Sequence, residues 1–274
     1  MGIRQGFLTE REERLGRELH EQGYVVRPVE DRGALDELRH QIVELACAFL
    51  GVPFPNDVEG FLNHVERIVP VDKLNELRLA VYHRMNGLAW LRPTYFSLAR
   101  SLIESLVGNE LAMQNRVNLS IQLPNDGSSP LDLHADSFGG ETPFQVVEWL
   151  PLVDCHKTKS MFLVAPAKCR QIYADLPRYQ GRGMNAVLDD LAEGDLTWCE
   201  VRYGEVLVFS PNYLHGRTVN RESETRWSMD SRFTGLFTPY VGDEKKLGSY
   251  YLPITTRPVT RLGLDYQEPS GFSE

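Results

Sequence analysis

The chain of 274 residues lacks the features that mark secreted and membrane proteins. Its four cysteines are widely spaced and form no CxxC pair, so we expect free thiols in a reducing compartment rather than disulfides or a zinc site. No stretch approaches the roughly 18 consecutive apolar residues that a membrane helix needs, and the N-terminal residues lack the apolar run of a signal peptide. The sequence therefore predicts a soluble, cytoplasmic protein.

Positive charge is also scarce. The chain has 29 Lys and Arg residues against 38 Asp and Glu residues, a formal net charge of −9, and no basic cluster offsets this excess locally. Such a surface repels phosphate backbones and anionic lipid, so we expect neither nucleic acid nor a membrane among the partners. Repeats, low-complexity segments and an obvious linker are missing too, and the hydrophobic content of 42% is sufficient for a substantial core.

The spacing of apolar residues predicts a mainly helical part over residues 1–115. The first helix has a capping box in Thr9 and Glu12 and ends at Gly23, and a short extended segment, YVVRPV, follows it. Three further segments have apolar residues at three- and four-residue spacing and a glycine near the end, which is typical of helices. They are ALDELRHQIVELACAFLG, VDKLNELRLAVYHRMNG and YFSLARSLIESLVGNE.

Residues 116–240 consist of short β-rich runs separated by Pro, Gly, Asn and Asp. A more helical or irregular insertion covers about 168–199, and the tail at 241–274 is rich in turns. Strands at this spacing are typical of a sandwich or barrel. The sequence thus predicts an α+β fold with a mainly β core, in which the helices pack on the strands within one domain spanning 1–274.

Three residues of the strand-rich part have the character of metal ligands. His134 and Asp136 alternate with apolar residues, so in a strand both side chains would point to one face. An isolated H-x-D pair is a weak signal, because a hydrated strand face gives the same alternation. Downstream, the buried strand predicted over GEVLVFSP is followed by His215. Two imidazoles and one carboxylate form the facial triad that binds non-heme Fe(II), and we predict this role for the three residues.

A dicarboxylate cosubstrate such as 2-oxoglutarate would need a planar bidentate donor for its far carboxylate, and Arg provides this better than Lys. Arg226 follows His215 on a strand that also carries Ser228 on the same face, and it is the predicted anchor. Arg232 points the same way and is its rival. The pair His64 and Glu66 is rejected as a ligand pair, since residues two apart do not share a face of a helix.

The sequence H-A-D at 134–136, H-G-x-x-x-N at 215–220 and R-x-S at 226–228 resembles the Fe(II)- and 2-oxoglutarate-dependent oxygenases, in particular their phytanoyl-CoA hydroxylase-like branch. The resemblance covers most of the chain, from about Leu8 to Pro239. It implies a double-stranded β-helix, or jelly roll, buttressed by helices. It also implies hydrogen bonds from Asn118 and Gln122 to the cosubstrate, although these residues are equally typical of a half-exposed strand.

The same resemblance implies Fe(II) and 2-oxoglutarate as cofactors, and O2 and a small molecule as partners. 2-Oxoglutarate and O2 would become succinate and CO2 while a C–H bond of the substrate is oxidised, by default to a hydroxyl group; desaturation, epimerisation and cyclisation would use the same site. Retention of Asp136 argues against halogenation, which in related enzymes needs a small residue at this position.

The substrate is predicted from a shorter segment and from charge. Residues 148–164 are similar to a subgroup encoded in carbohydrate and aminoglycoside-antibiotic biosynthetic clusters. Asp132, Glu148 and Asp230 on candidate strands would suit a polar, cationic amino sugar. Two other classes stay open: a cupin-like isomerase or hydrolase that uses Zn or Mn without O2, and a non-catalytic β-sandwich binding module.

Overall fold

The structure is a computed structural model of the chain and describes residues 6–127, 131–268 and 270–271. In these ranges it contains α-helices and β-strands joined by turns and short 3-10 segments. The helices are α1 (Glu10–Gln22), α2 (Arg32–Leu50), α3 (Val58–Asn63), α4 (Val71–Asn86), α5 (Leu91–Ser97), α6 (Arg100–Leu106), α7 (Pro166–Asp175), α8 (Met184–Asp189) and α9 (Pro258–Asp265). The strands are β1 (Tyr24–Pro28), β2 (Leu111–Gln114), β3 (Asn118–Gln122), β4 (Leu131–His134), β5 (Gln145–Pro151), β6 (Phe162–Val164), β7 (Leu196–Trp198), β8 (Glu205–Phe209), β9 (His215–Arg217), β10 (Arg226–Gly235) and β11 (Tyr251–Thr255).

The strands form two antiparallel sheets. The larger sheet has the order β1-β8-β5-β10-β2-β11, and β3 pairs with the first half of β10. The smaller sheet has the order β4-β9-β6-β7. This mixture of helices and antiparallel sheet confirms the predicted α+β class.

The two faces of β5 show how the larger sheet separates the core from a cavity. All residues of β5 are buried, and Val147 and Trp149 line the cavity on one face. Glu148 lies on the opposite face by strand alternation, where Tyr95 of α5 donates a hydrogen bond of 3.0 Å to its backbone carbonyl. The main hydrophobic core joins helices α1 to α6 to this sheet. The helices thus support the strands that carry the cavity.

Helix α1 begins and ends as the sequence predicts. Thr9 and Glu12 form a reciprocal capping box. Gly23 follows the helix with φ of 84°, a left-handed conformation that glycine adopts without steric cost.

The helix predicted over YFSLARSLIESLVGNE is instead two helices, α5 and α6. The backbone leaves the helical conformation at Ala99, where φ is −136°. This break frees the carbonyl of Leu98, which accepts a hydrogen bond of 2.9 Å from the backbone N–H of Glu30. Apolar spacing continues across the break because Leu98 and Ala99 are both buried, and so the pattern did not reveal it.

Strands also lie outside the predicted range of 116–240. Strand β1 coincides with the extended segment predicted over YVVRPV. Strand β2 also precedes the range, and the tail predicted to consist of turns contains β11 and α9. Pro253 interrupts the strand pattern of β11, which lies at the edge of the sheet, where proline is tolerated. Across the described residues, no helix combines the length and apolar character required to cross a membrane.

The insertion predicted at 168–199 carries most of α7, together with α8 and β7. Its apolar residues form a second, smaller core with the small sheet, in which Phe162 and Leu133 contact residues such as Cys169 and Val187. The insertion therefore supports the sheet that contains His134 and His215.

Candidate metal and cosubstrate site

The three predicted metal ligands lie together. His134 and His215 are directly opposite each other in the antiparallel pair of β4 and β9, with ring centroids 4.3 Å apart. The Oδ1 atom of Asp136 lies 3.4 Å from Nε2 of His134 and 3.7 Å from Nε2 of His215. All three ligand atoms are within 4.8 Å of one another, an arrangement able to hold a metal ion.

The backbone at Asp136 differs from the expectation. β4 ends at His134, and Asp136 begins a 3-10 segment, Asp136–Gly139, so the two side chains do not share a strand face. The backbone N–H of Asp136 donates to the carbonyl of Pro211 at 2.9 Å. This bond fixes the turn beside the loop that leads to β9, and the turn brings the carboxylate towards both imidazoles.

Backbone carbonyls orient both imidazoles. Nδ1 of His134 donates to the carbonyl of Asp132 at 2.8 Å, and Nδ1 of His215 donates to the carbonyl of Tyr213 at 2.9 Å. A carbonyl only accepts, so each Nδ1 carries hydrogen, and each Nε2 is the atom that can bind a metal ion once it carries no proton. The side chain of Asp132 is exposed, and it is the backbone of this residue that orients His134.

Burial and charge determine the protonation of these groups. Burial lowers the pKa of His215 to about 4, which leaves this imidazole neutral at neutral pH. Burial alone would raise the pKa of Asp136, but the hydrogen bond to His134 and the charge of Arg232 hold it well below its usual range. Burial lowers the pKa of His134, yet its hydrogen bonds to Asp136 and to the carbonyl of Asp132 raise it overall. An ion bound here would displace the His134 proton.

Arg232 is paired with Asp136. Its Nε and Nη2 atoms lie 2.8 and 2.7 Å from Oδ2 of that carboxylate. Glu141 and Asp230 lie at 3.4 and 3.6 Å from the same guanidinium, and these carboxylates raise the pKa of Arg232 although its burial would lower it. The rival anchor for the cosubstrate therefore already has acidic partners.

Arg226, unlike Arg232, has no salt bridge to a carboxylate among the described residues. It is only 2% exposed, and its Nη2 donates to Oγ of Ser120 at 3.0 Å. Within the described residues, its Nε has no hydrogen-bond partner, and neither does Oγ of the neighbouring Ser228. Burial and the nearby charge of Arg217 lower the pKa of Arg226. A buried guanidinium without a carboxylate is costly, and this site is consequently suited to an anion.

Strand β3 lies opposite these residues, with Asn118, Ser120 and Gln122 facing Asp230, Ser228 and Arg226 in register. Asn118 lines the cavity and donates to Oδ2 of Asp230 at 2.7 Å. Gln122 does not line it; this fully buried side chain donates to the carbonyl of Thr218 at 2.7 Å. Ser120 was not a candidate from sequence, although it has the same strand parity as Asn118.

The cavity lies between the two sheets and has a volume of about 460 Å³. Of the three acidic residues expected to favour a cationic substrate, only Asp230 lines it. Glu148 is buried on the other face of β5, and Asp132 is exposed. The charged residues of the lining are four arginines and two aspartates, so two of the three carboxylates expected to suit a cationic substrate lie outside the cavity. These charged residues are Arg78, Arg217, Arg226, Arg232, Asp136 and Asp230.

Neither the protein-family models nor the curated proteins include a match to this chain. Solved structures do match. A nickel complex of the non-heme monooxygenase ThoJ has a TM-score of 0.56 and 14% identity, covering 90% of this chain and 85% of that one. AviO1 from Streptomyces viridochromogenes Tue57 has a TM-score of 0.54 and 13% identity, covering 86% of this chain and 100% of its own.

HygX from Streptomyces hygroscopicus, with nickel and 2-oxoglutarate bound, has a TM-score of 0.50 and 16% identity over 84% of this chain and 88% of that one. At these identities the similarity is one of fold. The chain folds like non-heme oxygenases, the class that its sequence resembles.

Proposed function

We propose that this protein is a non-heme Fe(II)- and 2-oxoglutarate-dependent dioxygenase that oxidises, by default hydroxylates, a C–H bond of a small polar natural product or sugar-type substrate. The observation that carries the proposal is the buried guanidinium of Arg226, which has no carboxylate partner among the described residues, in the same cavity as a His-Asp-His cluster. HygX, which has a similar fold, binds nickel and 2-oxoglutarate.

The residues fit an iron ion. His134 and His215 offer Nε2 lone pairs, and Asp136 offers a carboxylate oxygen that is ionised in its surroundings. Two imidazoles and one carboxylate leave coordination positions for other ligands, as the facial triad of non-heme iron requires. When bound, Fe(II) supplies the redox chemistry by which 2-oxoglutarate and O2 become succinate and CO2 and the substrate is oxidised.

The other end of the cavity fits the far carboxylate of 2-oxoglutarate. The guanidinium of Arg226 would donate two N–H groups to this carboxylate and balance its negative charge, and Ser228 would offer a hydroxyl group beside it. The cavity lining also contains apolar side chains, which would suit the methylene groups of the cosubstrate. The apolar lining residues are Leu119, Val147, Trp149, Met161 and Phe209.

We interpret the two sheets with the cavity between them as the halves of a double-stranded β-helix, in one domain of the phytanoyl-CoA hydroxylase-like branch. Asn118, at the edge of the cavity, remains a candidate donor to the cosubstrate. Gln122 would act only indirectly, because its amide group is bonded to the carbonyl of Thr218.

The alternatives account for fewer of these features. An isomerase or hydrolase with Zn or Mn would use the three metal ligands but has no use for Arg226. A non-catalytic binding module would need neither the three metal ligands nor Arg226. Within the described residues, Nε of Arg226 and Oγ of Ser228 lack hydrogen-bond partners, and these free groups favour the oxygenase.

Anaerobic titration tests the proposal. Adding Fe(II) and then 2-oxoglutarate to the apoprotein should produce a weak absorption band at roughly 500 nm, expected for iron chelated by a keto acid. Admission of O2 should remove the band and yield succinate. Retention of zinc without such a band would favour the isomerase or hydrolase, and failure to bind either metal would favour the binding module.

A further inference from the structure

We infer that Arg232 is a positioning residue that presents a single oxygen of Asp136 to the metal ion. This inference rests on the proposed function, because it concerns the same metal site. From the sequence alone, Arg232 is only a rival anchor for the cosubstrate carboxylate.

The two oxygens of the Asp136 carboxylate have different partners. Nε and Nη2 of Arg232 both point to Oδ2, at 2.8 and 2.7 Å. Oδ1 instead faces the Nε2 atoms of His134 and His215, at 3.4 and 3.7 Å. The guanidinium thus occupies one oxygen and leaves the other directed at the site of the ion.

This division matters because a carboxylate can bind a cation through one oxygen or through both. An unrestrained Asp136 would be free to rotate and offer both oxygens, and this would use a further coordination position. The two contacts from Arg232 to Oδ2, together called the clamp, keep that coordination position available for the cosubstrate and O2.

Arg232 is itself held in place from several sides. Its Nη1 donates to Oε1 of Gln114 at 3.1 Å, and Glu141 lies 3.4 Å from its Nε. Glu141 in turn accepts hydrogen bonds from Lys245 and Tyr250, at 2.8 and 3.2 Å. With a side chain only 15% exposed, Arg232 cannot turn away from Asp136 without breaking this network.

The surrounding carboxylates also make the clamp compatible with a dication. A lone guanidinium next to Asp136 would repel a metal ion. Glu141 and Asp230 flank Arg232 and balance its charge, so the guanidinium can orient the ligand without making the site electropositive. A lysine would place a point charge there but lacks the planar fork that meets one oxygen with two N–H groups.

The test measures metal binding by the apoprotein, using Ni(II) in calorimetry and the visible spectrum of bound Co(II). Arg232→Met should weaken Ni(II) binding about 10- to 100-fold, the usual range for loss of a group that orients a metal ligand. It should also change the Co(II) spectrum, because Asp136 is free to bind through both oxygens. Arg232→Lys should give a smaller loss of affinity.

Arg226→Met is the matched control. It removes a guanidinium from the same face of β10 and should leave the Ni(II) affinity and the Co(II) spectrum unchanged while weakening 2-oxoglutarate binding. If Arg232→Met fails to fold by circular dichroism, Arg232→Lys and Glu141→Gln take its place, and both should weaken Ni(II) binding.

Two results would overturn the inference, and they are distinguishable. Wild-type Ni(II) affinity and an unaltered Co(II) spectrum in the folded Arg232 variants would reject the positioning role alone. A wild-type protein that binds no metal would reject the proposed function, and the positioning role would fall with it.

Discussion

At the scale of single residues, Arg226 and Arg232 share one face of β10 but have opposite surroundings. Arg232 contacts three carboxylates, whereas Arg226 donates to a serine and its Nε has no partner in the described part of the chain. Arg226 as the cosubstrate anchor stays our proposal, and these surroundings are the reason for it. From the sequence, the two arginines shared a strand face and differed only in the R-x-S match at 226–228, because Asp136 and Glu141 reach Arg232 from a distant part of the chain.

Arg226→Met should weaken 2-oxoglutarate binding by roughly 30-fold to several thousand-fold, since removing one partner of a buried charge pair costs about 2–5 kcal/mol. Calorimetry with the Ni(II)-loaded protein measures this loss. Unchanged affinity would show that another cation, such as Arg217, binds the carboxylate.

Glu148 should make stability depend on pH. It is fully buried, and neither carboxylate oxygen has a partner among the described residues. Burial raises its pKa well above 4.5, the ordinary value. Above pH 4.5 the unfolded chain therefore loses this proton while the folded chain keeps it, and stability falls with rising pH until the folded form also ionises.

Glu148→Gln removes that dependence. Its thermal stability relative to wild type should improve as the pH rises from 5 towards 8, by at most about 1.4 kcal/mol per pH unit. Melting curves at several pH values measure the trend. Glu21→Gln, at an exposed position of α1, is the control for the loss of one carboxylate at the surface. A difference between Glu148→Gln and wild type that stays constant with pH would contradict the assignment.

At the scale of elements, the sequence located the ligand-bearing segments better than their backbone conformation. Alternation around His134 correctly indicates a strand, but alternation alone does not show where a strand ends, and Asp136 lies beyond β4. The same reasoning rejected His64 and Glu66 for sharing a helix. In fact α3 ends at Asn63, and Nδ1 of His64 lies 3.4 Å from Oε1 of Glu66. Both differences concern the ends of elements, and the metal-binding group found among the described residues does not include His64 or Glu66.

Two glycines of the first helical segment provide a matched test of its end. Gly16 lies within α1, and a methyl group added to its Cα would meet no atom within 4 Å. Gly23 has φ of 84°, and a methyl group there would lie 3.1 Å from Cδ2 of Tyr213. Gly16→Ala should stabilise the protein by roughly 0.5–1 kcal/mol, and Gly23→Ala should destabilise it by about 1–2 kcal/mol. Urea denaturation measures both, and changes of the same sign would contradict this account of the helix end.

At the scale of the whole molecule, net charge proved a poor guide to the cavity. A chain with a net charge of −9 has four arginines along its cavity, because the charge summed over a surface says little about which side chains converge inside. The helical part, the strand-rich part and the α+β class were predictable from periodicity. The pairing of strands β1, β2 and β11 with the central sheet was not, since it joins segments far apart in sequence.

Metal binding should stabilise the whole fold. An ion that binds only the folded state adds about 2.7 kcal/mol at a concentration 100 times its Kd, so Ni(II) should raise the Tm of the apoprotein. His215→Ala removes a ligand and should abolish most of this increase. An equal increase in wild type and variant would place the ion elsewhere.

The most direct measurement is anomalous diffraction at the iron edge from crystals soaked anaerobically with Fe(II). The account predicts one strong peak at about 2.0–2.3 Å from Nε2 of His134, Nε2 of His215 and Oδ1 of Asp136, with Oδ2 still bonded to Arg232. A peak remote from these atoms, or no peak in crystals that retain the wild-type fold, would contradict it.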